Sequence, residues 1–239
     1  MQKSDKSGAF VLGVFIFLGL SLLGYLLGDA AIKFRQYERS VVVKGLSERE
    51  YNADIVIWPI EFTAAANDLE KLYDTIETST SKIRAFLVER GIEPGEISYS
   101  SPSVTDKLAR KYGGDENAGF RYTAFQTVTV YSQHIEAVRA VMGKLSDLGK
   151  QGIVFTGSNY QSQTEYTFTR LNEVKPEMIE EATRKAREVA EKFASDSQSK
   201  LGKIKRASQG RFSISSRDQN NPHIKKVRVV TTVEYYLSD

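Results

Sequence analysis

Residues 41–62 read VVVKGLSEREYNADIVIWPIEF. Two runs rich in β-branched and aromatic residues, Val41-Val42-Val43-Lys44-Gly45 and Ile55-Val56-Ile57-Trp58-Pro59-Ile60-Glu61-Phe62, flank the turn-forming Asn52-Ala53-Asp54. This pattern predicts a β-hairpin. Pro59 has no N–H to give to a ladder, which places its strand at an edge or at a bulge. Whether the fold is all-β or mixed then depends on the residues after Phe62.

Those residues have a helical pattern. Asn67 is the expected cap, Glu70 comes three residues later, and Leu69, Leu72, Ile76, Ile83 and Leu87 recur at helical spacing. Gly91 stops that helix and Pro94-Gly95 turns the chain. A strand is expected over Ile97–Val104, then a charged loop, Asp106–Gly119, containing Gly113-Gly114, then a long strand over Phe120–Ser132. Ile135, Val138, Met142 and Leu145 mark a second helix ending at Gly149, with strands over Ile153–Ser158 and Gln163–Thr169. Pro176, at a first-turn position, opens the longest helix, which runs to about Leu201-Gly202. Its inner face is Ile179, Ala182, Ala186, Val189, Ala190 and Phe193, a small-residue stripe suited to lying close to a sheet. Strands over Ile204–Ile214 and Lys226–Leu237, separated by the polar loop Ser215–Pro222, close the chain. The expected fold class is α+β, antiparallel or mixed sheets with three main helices on one face.

Upstream, Gly8–Gly28 reads GAFVLGVFIFLGLSLLGYLLG and carries no charged side chain. A helix of that length spans about 30 Å, the thickness of a bilayer core. A core helix would show a polar face, and this one has none. The other reading is a cleaved signal peptide, with Gly28-Asp29-Ala30 as the small-residue site; Asp29 and the length of the run favour an uncleaved anchor. Gly8, Phe15, Leu22, Gly24 and Gly28 represent the anchor, and Gly24-x-x-x-Gly28 is a weak close-packing pattern. Lys3 and Lys6 precede the span while Lys33, Arg35 and Arg39 come after it, too even a distribution to fix the orientation. The expected organisation is a short tail (1–7), a transmembrane anchor (8–28), a juxtamembrane stalk (29–39) and one α+β domain (40–239).

Composition excludes several chemistries. With no cysteine among 239 residues, disulfides, thiolate metal sites and cysteine nucleophiles are impossible. Only His134 and His223 could serve zinc or a catalytic triad, and the G-x-S-x-G and phosphate-loop spacings do not occur. Thirty-three Lys and Arg against 30 Asp and Glu leave a net charge of +3, too little for a nucleic-acid-binding stripe. The basic groups Lys200, Lys203, Lys205, Arg206, Lys225, Lys226 and Arg228 read first as a solvated helix end or strand edge. In an envelope compartment, anionic headgroups or a partner protein would be their targets. Adjacent carboxylates such as Glu180-Glu181 and Asp115-Glu116 read as solvated faces.

The ordered landmarks resemble the SIMPL-domain family of bacterial periplasmic and envelope proteins, often described as oxidative-stress-defence or immunogenic proteins. They are Val41-Val42-Val43-Lys44-Gly45, Asp54, the helix after Asn67, Gly91-Ile92, Glu96-Ile97, Phe120-Arg121-Tyr122-Thr123-Ala124 before Val128-Thr129-Val130, and Ala182, Ala186, Ala190 before Leu201-Gly202. The resemblance covers about residues 40–237. It implies a periplasmic α+β domain that forms large homo-oligomeric rings in some members, and it implies no agreed catalytic residue. Ala53 stands where the family commonly has proline, and a retained anchor departs from the cleaved signal of many relatives.

Together these readings lead to a non-enzymatic, self-assembling envelope protein with a structural or stress-protective role. It would sit in the bacterial inner membrane by a single pass, with its C-terminal domain in the periplasm. Its expected partners are the lipid bilayer and further copies of itself, with no nucleic acid, metal or cofactor. Tyr122, Phe125, Tyr131, Tyr160, Tyr166, Phe168, Tyr235 and Tyr236 fall in expected strands. Rings on one face fill core, and Tyr122, Tyr131, Tyr166 and Tyr236 are the candidates for an assembly or ligand surface. The alternative is a binding module with a cleft near the Asp106–Gly119 loop.

Overall fold

The computed structural model describes residues 6–37, 39–109, 119–156 and 163–238. A first helix, α1 (Lys6–Tyr37), precedes strands β1 (Ser40–Asn52) and β2 (Ile55–Ala66), and helix α2 (Leu69–Glu89) comes next. After a short turn come β3 (Ile97–Tyr99), β4 (Ser103–Asp106), β5 (Tyr122–Ser132), α3 (Ile135–Met142) and α4 (Ser146–Gly149). The chain then forms β6 (Val154–Phe155), β7 (Glu165–Thr167), α5 (Leu171–Asp196), β8 (Lys200–Gln209), β9 (Ser213–Ser216) and β10 (Ile224–Ser238). The class is α+β. Of the expected features, residues 110–118 of the charged loop, residues 157–158 of one strand, Tyr160 and most of the N-terminal tail lie outside the described residues.

The strands form two sheets. One has the order β1–β10–β8, with β9 also on β10; the other has the order β3–β5–β2–β6, with β4 also on β5 and β7 also on β2. The pairings of β10 with β8, of β2 with β5, β6 and β7, and of β5 with β3 and β4 are antiparallel. The chain divides into two compact units. Unit 1 comprises Met1–Glu48, Lys175–Phe212 and Arg228–Asp239, and unit 2 comprises Arg49–Val174 and Ser213–Val227.

The expected hairpin over residues 41–62 is corrected, because β1 and β2 enter different sheets. The corner between them shows why. The Ala53 N–H donates to the His223 carbonyl at 2.8 Å and the Asp54 N–H to the Thr167 carbonyl at 2.9 Å. Ala53 is itself buried, at 6% exposure. The backbone donors of the turn are committed to distant segments rather than to each other.

In unit 2, β2 is central, so of the edge or bulge expected from Pro59 the edge is corrected. Pro59 faces Thr129 of β5. On the other side β7 pairs with Ile55–Ile57 and β6 with Phe62 and Thr63. Proline therefore falls where the flanking ladder is interrupted. The alternation of β2 buries Val56, Trp58, Ile60 and Phe62, and β5 adds Ala124, Val128 and Val130. Large side chains of α2 (Leu72, Ile76, Ile83, Phe86 and Leu87) complete that core with Val138, Val141 and Leu148. The cap of α2 is Asp68, whose carboxylate accepts from the Lys71 N–H at 3.1 Å; Asn67 instead accepts from the Arg121 N–H at 2.9 Å.

In unit 1 the α5 stripe is smaller. Met178, Ala182, Ala186, Ala190 and Ala194 are buried, whereas Val189 and Phe193 of the expected inner face are 41% and 56% exposed. A Cβ on Gly45 of β1 would fall on the Ala182 carbonyl oxygen and lie 2.5 Å from the Ala186 nitrogen. The helix backbone thus lies directly on the strand, and only glycine fits there. Val43, Val233 and Tyr235 finish this core. Helix α5 begins at Leu171, so Pro176 is inside it, where it leaves one carbonyl of the preceding turn without its helical donor. It ends at Asp196, not at Leu201-Gly202, which belong to β8. Gln198, at φ 55°, makes the stop, and the Ser199 N–H returns to the Ala194 carbonyl at 2.8 Å.

Candidate functional site

The anchor residues Gly8, Phe15, Leu22, Gly24 and Gly28 all lie on α1. Every residue of Phe10–Ala30 is outside the core, with Phe15 70% and Leu22 60% exposed, and a Cβ on Gly24 or Gly28 would meet no neighbour. Among the described residues this is the one helix long and apolar enough to cross a bilayer.

The four tyrosines have different surroundings. Tyr122 stands opposite Ala66 at one end of β5, half-buried against the core, with the Arg121 guanidinium 4.8 Å from its ring centre. Tyr131, opposite Ile57 near the other end, points away from the core and is 50% exposed. Tyr166, opposite Val56, packs on the core, and burial pushes its hydroxyl pKa up. Tyr236 of unit 1 is 40% exposed, with the Lys205 ammonium 5.6 Å from its ring centre.

Sequence separation hid one grouping. His134 and His223 line a single cavity of about 410 Å³ in unit 2, together with Asn52, Gln133, Glu136 and the Ala53 corner. His134 precedes the first turn of α3, mostly exposed, with its Nδ1 3.5 Å from Glu96 Oε1. His223 is 9% exposed and its Nδ1 is buried without a hydrogen-bond partner among the described residues. Its ring meets that of Tyr166 edge-on at 6.0 Å. Burial, then the nearby Arg139 charge, hold its pKa below the ordinary histidine value. The imidazole is therefore neutral at pH 7 and can accept or donate one hydrogen bond.

A neighbouring cavity of about 440 Å³ shares Ala53 and Gln133 and is lined further by Asp54, Ile55, Thr169 and Arg170. Asp54 accepts from the Thr169 N–H and hydroxyl at 3.0 Å, and its Oδ2 is 3.3 Å from Arg170 Nε. Asp54 thus has a positional role, tying the corner to the start of α5. Polar groups with a neutral imidazole in a mixed cavity suit a small polar ligand. Among the described residues no group of three or more His, Asp or Glu side chains is placed to hold a metal ion. In the sequence the site is marked only by the turn composition of Asn52-Ala53-Asp54 and by two histidines 89 residues apart.

The basic residues divide as well. Lys225 is buried, 9% exposed, donates to Ser216 Oγ at 3.0 Å, and has its pKa lowered by burial. It is therefore a core group and not part of a cationic surface. Arg228 faces Glu48 at 4.0 Å and Lys205 faces Glu234 at 3.1 Å. Glu234 also accepts from the Ser40 hydroxyl at 2.6 Å, and the two contacts hold its carboxyl below the usual range.

The family model SIMPL, described as a protein of unknown function (DUF541), matches residues 41–235. No curated protein matches the chain.

Proposed function

The chain belongs to the SIMPL family, and from that membership we propose a membrane-anchored envelope protein whose α+β body self-assembles in a structural or stress-protective, non-enzymatic role. Its N-terminal helix stays in the inner membrane as a single-pass anchor, with the body in the periplasm. The supporting observation is the sheet of unit 1. Helix α5 covers one face, while on the other Val42 is 62%, Leu46 39% and Tyr236 40% exposed. A concavity of about 340 Å³ lined by Val42, Arg206, Ser208, Thr232 and Glu234 lies on that face. Strand β8, at the edge, is exposed along almost its whole length, with Ile204 at 49%. An open face that mixes apolar and charged residues, beside an exposed edge, suits a second copy of the same surface.

Light scattering of the full-length chain in detergent at micromolar concentration tests assembly. A homo-oligomer that dissociates on Val42→Glu with Ile204→Glu is the expected result, and a monomer at that concentration overturns it. Protease digestion of the body in spheroplasts but not in intact cells is the expected topology result; protection in both overturns it.

The cavity holding His134 and His223 favours a second reading, a binding module for a small polar molecule or an envelope polymer. Ligand-dependent protection of residues 51–54 and 133–137 in hydrogen exchange would support it. No protection with any envelope extract would sink it.

A further inference from the structure

We infer that the α5–β8 end of unit 1 is a membrane-docking surface, seated on the anionic lipid headgroups of the bilayer that holds α1. The inference rests on the proposed anchor. The apolar span ends at Ala30 and α1 continues as helix to Tyr37, with β1 starting at Ser40. Seven helical residues add about 10 Å and the short connection roughly 10 Å more, so the start of β1 lies within about 20 Å of the hydrocarbon boundary in any orientation. The headgroup layer itself occupies about 5–8 Å of that distance.

Backbone pairing fixes what gathers at that end. The Leu237 N–H donates to the Arg39 carbonyl at 2.9 Å, and Arg39 Nη2 donates to Ser199 Oγ at 3.3 Å. Lys200, the first residue of β8, stands opposite Ser238, and Leu201 opposite Leu237. Arg39, Lys200 and Lys203 are exposed there, with Asp196 an acidic neighbour at the α5–β8 turn among the described residues, and in the sequence Glu38 precedes Arg39 and Asp239 follows Ser238. An exposed ring accompanies them, Phe193 in the last turn of α5, at 56%. Cations beside an apolar ring are the composition of a headgroup-level surface. The two exposed residues of the expected α5 stripe, Val189 and Phe193, and the bases at the start of β8 thereby acquire a common reason to face outward.

The absence of cysteine allows a direct test. The full-length chain carrying Ser195→Cys or, at the far end of β8, Ser208→Cys is labelled with a fluorophore. Each labelled chain is placed in nanodiscs of phosphatidylcholine alone or mixed with phosphatidylglycerol, both doped with a headgroup quencher. Quenching at position 195 should exceed that at 208 and rise with phosphatidylglycerol. The docked-to-free ratio should fall about fivefold for each cation removed in Lys200→Gln with Lys203→Gln, an effect removed by high salt. Phe193→Ser, a surface change that leaves the cations in place, should lower quenching in both lipids. Thermal melts of the variants should match the parent; a parent-like melt with unchanged quenching overturns docking. Equal quenching at 195 in both lipids overturns docking while leaving the anchor intact. Failure of the chain to enter nanodiscs overturns the anchor and docking together. Protection of position 195 that tracks protein concentration instead of lipid charge assigns the end to a second copy and overturns the lipid assignment.

Discussion

The two units cover their sheets in opposite ways. In unit 2, α2 brings Leu72, Ile76, Ile83, Phe86 and Leu87 against Val56, Trp58, Ile60 and Phe62, so stability comes from apolar area removed from water. In unit 1, α5 brings alanines against Gly45, and its backbone lies on the strand. Side-chain volume holds one interface together, and its absence permits the other. Unit 2 should therefore be sensitive to deletion and unit 1 to addition.

The largest test of that contrast is Gly45→Val. Its Cβ collides with the backbone of α5 rather than with a movable side-chain end, so the cooperative unfolding of unit 1 should be lost in amide hydrogen exchange. Native-like protection of β1 and α5 in this variant would break the comparison. Next comes Phe62→Ala, expected to cost about 3–5 kcal/mol in denaturant unfolding of unit 2, since Phe62 is 1% exposed.

A pH titration sharpens the contrast through charge. His223 has a folded-state pKa below its ordinary 6.5, so the unfolded chain takes up the proton first. Its contribution to unit 2 is intact above pH 6.5 and lost as pH falls below it, with a slope of up to about 1.4 kcal/mol per pH unit until the folded-state pKa is reached. Glu234 of unit 1 is depressed from 4.5, so its contribution persists above that value and disappears as pH falls through its lower folded-state pKa. Exchange protection should thus begin to weaken at higher pH in unit 2, and His223→Gln should abolish that early loss. The smallest expected effect is Asp68→Ala, about 1 kcal/mol from the lost cap of α2, measured by denaturant unfolding.

Local features were largely legible. The alternation of β1, β2 and β5, the apolar spacing of α2 and the alanine stripe of α5 each arise from neighbours in the sequence. Pairing was not, because Asn52-Ala53-Asp54 has the composition of a hairpin turn while its donors go to Thr167 and His223. The end of α5 was misplaced for a similar reason. Leu201-Gly202 has the composition of a helix stop, yet Gly202 is a strand residue whose missing side chain accommodates Tyr236. The cavity with both histidines is a tertiary property, and no local pattern announces it.

Strand β10 carries a consequence for the order of assembly. It is the middle strand of the β1–β10–β8 sheet and, among the described residues, the last in chain order. β1 comes directly after the helix that would first meet the membrane, and it must wait for residues 224–238 before it has a partner. More than 170 intervening residues, 53–223, are therefore synthesised before that sheet can close, and such long-range closure is slow. A polypeptide passing through a translocation channel has to remain unfolded. On the proposed periplasmic placement, strand order supplies that delay, since the β1–β10–β8 sheet cannot close until β10 has crossed.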